Sequence, residues 1–125
     1  MSNVSNNGSG GSVKAPAFTL RSLNEIKKGL PKKYWEKFLG IENKRILKRL
    51  KEGVRVRVLA QSVGHPKNPC EELWVRIHHK DTKARKYVGS IVSNVGRHAY
   101  HGLMPGMLIN FQEKHILDVW MEDLE

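Results

Sequence analysis

From Ser22 to Gly53 the apolar residues recur at helical spacing, and beyond Gly53 the period shortens to two. Ser22 and Glu25 stand at capping-box spacing, with Leu23 and Ile26 as apolar contacts and Gly29 as a stop. Pro31 suits the first turn of a second helix, whose stripe would be Tyr34, Trp35, Phe38 and Leu39, closed by Gly40. A third helical segment, Glu42 to Glu52, sets Ile46, Leu47 and Leu50 on one side and Lys44, Arg45, Lys48, Arg49 and Lys51 around it. Each segment is under ~12 residues and needs tertiary packing to persist.

Val54, Val56 and Val58 then alternate with Arg55 and Arg57, the pattern of a half-buried strand. Gly64, Pro66, Asn68 and Pro69 mark a loop, and Leu73, Val75 and Ile77 alternate with Trp74, Arg76 and His78 in a second strand. Asp81-Thr82-Lys83 is a polar turn. Tyr87, Val88, Ile91 and Val92 suggest a third strand, broken or bulged at Gly89. Pro105-Gly106 carries a type II turn signal, Met107, Ile109 and Phe111 alternate after it, and a last segment runs from His115 to Trp120. The pattern predicts an α+β fold: short N-terminal helices packed on a small, strongly bent antiparallel sheet or barrel of about five strands. Residues 1–15 read as a disordered Gly/Ser/Asn tail or linker, and residues 16–125 as a single α+β domain.

Composition narrows the class. The 125 residues hold one cysteine, which excludes a disulfide-stapled scaffold, and no apolar run reaches the ~20 residues of a membrane span. A protein of the cytoplasm, without a membrane role, is the expectation. The net charge of +10 is unevenly placed. Residues 14–60 carry fourteen Lys and Arg against four Asp and Glu, whereas residues 61–125 carry eight of each. A polyanion or an acidic protein surface would be drawn to the first stretch.

Glu72-Leu73-Trp74-Val75, Val88-Gly89-Ser90 with Asn94, Gly102-Leu103 through Pro105-Gly106, and Ile116-Leu117-Asp118-Val119-Trp120 together resemble the YegJ-like bacterial domain of unknown function. The resemblance spans residues 71–120. It departs from that family's pattern where Val119 separates Asp118 from Trp120 and where the turn before Met107 lacks an acidic follower. It implies a small β-rich fold and transfers no catalytic residue.

Candidate chemistry is sparse. No Gly-rich phosphate loop is followed by Lys-Ser/Thr, and Cys70 beside Glu71 is a blunted nucleophile. The terminal Glu122, Asp123 and Glu125 read as a solvated acidic cluster. Among six histidines, His98 and His101 stand at i, i+3 and could share a site with Cys70 or Asp118, but the paired spacings of a zinc site are absent, and neither metal nor cofactor is expected. Arg97, His98, Tyr100 and His101 contain the acid, base and cation of metal-independent RNA cleavage, an enzymatic alternative to a non-enzymatic protein.

The stronger expectation is a cationic binding face built from Lys27, Lys28, Lys32, Lys33, Lys44, Arg45, Lys48, Arg49, Arg55 and Arg57. Tyr34 and Trp35 nearby could stack bases or fill the helix–sheet core. With no zinc-finger, RRM or Gly-x-x-Gly signature, the predicted partner is nucleic acid bound without strong sequence preference. A protein-binding inhibitor or immunity-type protein docking on an acidic partner surface is the alternative.

Overall fold

The computed structural model describes residues 16–38, 44–64 and 67–125. The tail, Leu39, Gly40 and Glu42 of the predicted helices, and His65 and Pro66 of the loop lie outside the described residues. The chain runs β1 (Phe18–Arg21), α1 (Leu23–Gly29), a 3-10 turn (Lys32–Tyr34), α2 (Lys44–Arg49), β2 (Arg55–Ser62), β3 (Cys70–Asp81), β4 (Lys86–Ile91), α3 (His98–His101), β5 (Leu108–Gln112) and β6 (Asp118–Val119), with short 3-10 turns flanking β6. The strands form one curled antiparallel sheet, a half-barrel, along the path β1-β2-β3-β4-β5, and β6 pairs with β2 beside β1. No helix among the described residues is long and apolar enough to cross a membrane.

The alternation after Gly53 decides the layers. Val56, Val58 and Ala60 of β2, Leu73, Val75 and Ile77 of β3, and Ile109 and Phe111 of β5 are buried on the inner face of the sheet. Helix α2 covers this face, with Leu50 buried behind it and Ile46 and Leu47 packed on the same core. A smaller cluster of Leu23, Ile26 and Leu117, with Trp35, Phe38 and Leu59 against it, lies on the opposite face of β2. The two helical regions therefore sit on opposite sides of one strand.

Several elements differ in extent from the pattern reading. Strand β1 pairs with the far half of β2, although only Leu20 of its four residues is buried. The segment after Pro31 makes a single 3-10 turn, and Tyr34 is exposed rather than part of a stripe. The third helix is helical over Lys44–Arg49 only. Gly89 does not break β4: a Cβ there would lie 2.6 Å from both the Arg76 carbonyl oxygen and Val75 Cγ1, so glycine permits the close approach of β3 and β4. The bulge lies instead on β3, between Ile77 and His79. The capping box is formed, with the Glu25 N–H donating to Ser22 Oγ at 3.2 Å and the Ser22 N–H to Glu25 Oε1 at 2.9 Å. The type II turn is formed too: Gly106 has φ +89° and the Met107 N–H donates to the Met104 carbonyl at 3.2 Å.

Candidate nucleic-acid interface

Because side chains alternate along β2, Arg55 and Arg57 point to the outer face, as their pattern predicts. Both are ion-paired there. Arg55 grips Asp123 through two bonds, Nε to Oδ2 at 2.8 Å and Nη2 to Oδ1 at 2.9 Å, and its backbone N–H donates to the same carboxylate at 2.9 Å. Its guanidinium lies 3.9 Å from the Trp120 ring centre. Arg57 donates to Glu72 at 3.1 Å and stacks 4.6 Å from Trp74, which meets Trp120 edge-on at 5.1 Å. Lys37 shares Glu72 at 3.0 Å. The hydrogen bond from the Arg55 side chain, helped by its backbone N–H and its charge, outweighs burial and holds the Asp123 carboxyl below the usual carboxylate range. Asp123 is thus a clamp for the chain end rather than part of a merely solvated cluster.

The lysines of the α1 region share this side. Lys27 lies 5.2 Å over Trp35 and Lys33 5.1 Å over Tyr34, while Lys28 and Lys32 are exposed. Trp35 is half-buried and donates from Nε1 to the Leu30 carbonyl at 3.1 Å. Of the predicted cations, Lys44, Arg45, Lys48 and Arg49 alone stand on α2, across the sheet from the rest. Arg49 donates to the Leu124 carbonyl.

A groove of about 610 Å³ opens between α2 and the β3–β4 hairpin. Lys44, Leu47 and Lys48 line it from the helix, Lys80, Thr82 and Arg85 from the hairpin, and Tyr87 and Glu113 complete it. The β3 bulge brings Lys80 here: past the register shift Lys80, not His79, stands opposite Tyr87 and takes up the inner face. Its ammonium donates to the Leu47 and Leu50 carbonyls at 3.1 and 3.0 Å, tying the end of α2 to the sheet. Arg85 sits in the hairpin turn with φ +55°, and its carbonyl accepts the Glu113 N–H at 3.1 Å. Among the described residues, Lys44, Lys48, Arg85 and Glu113 form no ion pair and no side-chain hydrogen bond. Sequence reading singled out Lys44 and Lys48. It passed over Lys80, Arg85, Tyr87 and Glu113, which only the bulge and the hairpin bring to the helix.

The histidine cluster is arranged differently. His101 is fully buried; its Nδ1 accepts the Leu103 N–H at 3.0 Å, so Nε2 carries the proton and donates to Glu71 Oε1 at 2.9 Å. Glu71 also accepts the Gly96 and Arg97 N–H groups at 2.7 and 2.9 Å. Burial pushes the Glu71 carboxyl up, but the Gly96, His101 and Arg97 hydrogen bonds outweigh it and its pKa is lowered. The one-turn helix of His98 and His101 therefore locks the end of the half-barrel, and neither ring nitrogen of His101 faces solvent. His98 is exposed, its Nδ1 3.3 Å from the Leu103 carbonyl, and Tyr100 is exposed beside it. Cys70 is exposed, its thiol pushed up by burial on one side. No three His, Cys, Asp or Glu side chains converge as a metal site among the described residues. Comparison with protein-family models, with curated proteins and with solved structures gives no match.

Proposed function

We propose that this protein binds nucleic acid without strong sequence preference, through the groove between α2 and the β3–β4 hairpin. The observation that carries the reading is the presence of Lys44, Lys48 and Arg85 along one groove with no carboxylate paired to any of them among the described residues. Unpaired cations on a low-dielectric wall attract a phosphate backbone and release its counterions. The outer arginines add little, since Arg55 is already paired with Asp123 and Arg57 with Glu72. Flexible ammonium groups contact phosphate and carry no base code, which accounts for the absence of sequence preference.

The test is a titration of single- and double-stranded oligonucleotides at low and high salt. With three or four phosphates engaged, the single-strand salt slope is expected at about −2 to −3. Reversal of Lys44 and Lys48 to Glu should remove most of the binding. Absence of binding at low salt would overturn the reading, and a flat salt dependence would show that phosphates are not the contact.

A further inference from the structure

The inner wall of the groove holds a group that the packing of the protein does not use. Tyr87 is 1% exposed, and its hydroxyl has no hydrogen-bond partner. Its ring stacks on Phe111 with centres 5.2 Å apart and planes 10° from parallel, work that a phenylalanine would do equally well. An unpartnered buried hydroxyl has given up its hydrogen bonds to water with nothing in return. Tyrosine at this position therefore weakens the fold relative to phenylalanine unless something arriving from outside completes the hydrogen bond.

Glu113 lies on the same groove, and burial first, then its carboxylate charge, raise the phenol to about 12, so the hydroxyl stays protonated and able to donate. Its carboxylate is also without a partner among the described residues. A phosphate seated against Tyr87 would meet this carboxylate and be repelled. A sugar hydroxyl would not: it accepts from the phenol and donates to the carboxylate, satisfying both at once. Lys44, Lys48 and Arg85 stand around this pair, the arrangement needed when the phosphates belong to the neighbouring positions of the same strand.

We propose that the groove selects RNA over DNA, with the Tyr87 hydroxyl and the Glu113 carboxylate recognising a ribose 2′-hydroxyl while Lys44, Lys48 and Arg85 hold flanking phosphates. This inference rests on the nucleic-acid reading above and deepens it. The 2′-hydroxyl is the group by which a protein distinguishes the two strands, being both donor and acceptor.

Fluorescence anisotropy with one sequence in three chemistries, single-stranded RNA, DNA and 2′-O-methyl RNA, tests it at fixed salt. RNA should bind about tenfold more tightly than the other two. Tyr87→Phe should bring RNA down to the DNA level, leave DNA unchanged, and keep or raise the melting temperature. Glu113→Gln should narrow the RNA preference while strengthening DNA binding slightly, because a negative charge leaves the groove. Equal affinity for the three strands, with sensitivity to Lys44→Glu and Lys48→Glu retained, would overturn RNA selection and leave the groove standing. A Tyr87→Phe variant that lowers RNA and DNA binding alike would overturn it as well. Absence of binding to all three strands at low salt would remove the groove reading and this one together.

Discussion

The outer face of β2 and the groove beneath α2 draw on the same basic stretch of sequence, yet they hold their charge in opposite ways. On the outer face each arginine has a tryptophan under it and a carboxylate across from it, Arg55 with Trp120 and Asp123, Arg57 with Trp74 and Glu72. In the groove Lys44, Lys48 and Arg85 have neither. The contrast teaches that a count of cations measures charge and not its availability. Asp123 is 68 residues from Arg55 in sequence and cancels it, while Arg85 from the electrically balanced half of the chain joins the helix lysines. On the outer face Arg55 fastens the C-terminal segment to the sheet and Arg57 ties β2 to β3, while the groove cations hold no carboxylate among the described residues.

The largest expected effect concerns the scaffold that keeps the two faces apart. Glu71→Ala orphans the Gly96 and Arg97 N–H groups and the buried His101 Nε2, and should cost about 3 kcal/mol in urea unfolding. Acid should act at the same point: a carboxyl whose pKa folding lowers contributes stability above its unfolded value of 4.5, and that stability is lost as pH falls through the lowered folded value. If Glu71→Ala proves neutral, the histidine turn does not lock the end of the half-barrel.

Alkali acts on the groove side. Folding raises the Tyr87 phenol from 10.0 to about 12, so its contribution is complete below pH 10.0 and is lost as pH rises toward 12. The expected loss is about 2–3 kcal/mol across that interval, and it should disappear in Tyr87→Phe. Equal alkaline melting curves for the two proteins would place Tyr87 in water.

Next in size is charge reversal. Lys44→Glu with Lys48→Glu should weaken single-strand binding about 30-fold, ~2 kcal/mol, whereas Lys28→Glu with Lys32→Glu on the outer side should change it less than about threefold. The smallest effect breaks the contrast from its other end. Asp123→Asn should lower the melting temperature slightly, chiefly by freeing the C-terminal segment, and should leave nucleic-acid affinity unchanged, because Arg55 stands across the sheet from the groove. A raised affinity would show that the outer face reaches the strand.

Local signals in the sequence predict local structure well here. Ser22 with Glu25, the alternation of Val54, Val56 and Val58, and Pro105-Gly106 each contain the whole cause of the element they specify. The α+β half-barrel follows from their order. Strand β1 escaped because its stability comes from pairing with β2 while Leu20 alone is buried, which leaves no period to read. Gly89 was visible as an irregularity, but its cause lies in the Arg76 and Val75 atoms across the ladder. Of the groove, only the α2 lysines were legible. Lys80 reaches it through a bulge in His78-His79, where three polar residues in a row mask the change of face, and Arg85 and Glu113 reach it through a hairpin contact. That the Tyr87 hydroxyl lacks a partner is a property of its surroundings, which a strand pattern does not encode.

The central claim is that the groove cations, and not the outer ones, bind the strand. The most direct measurement is the affinity of a single-stranded RNA at about 50 and 200 mM salt for the wild type, the Lys44→Glu/Lys48→Glu protein and the Lys28→Glu/Lys32→Glu protein. The groove variant should lose both affinity and about two-thirds of the salt slope, while the outer variant keeps both. Equal losses in the two variants would mean that the strand sees only net charge, and would contradict the account.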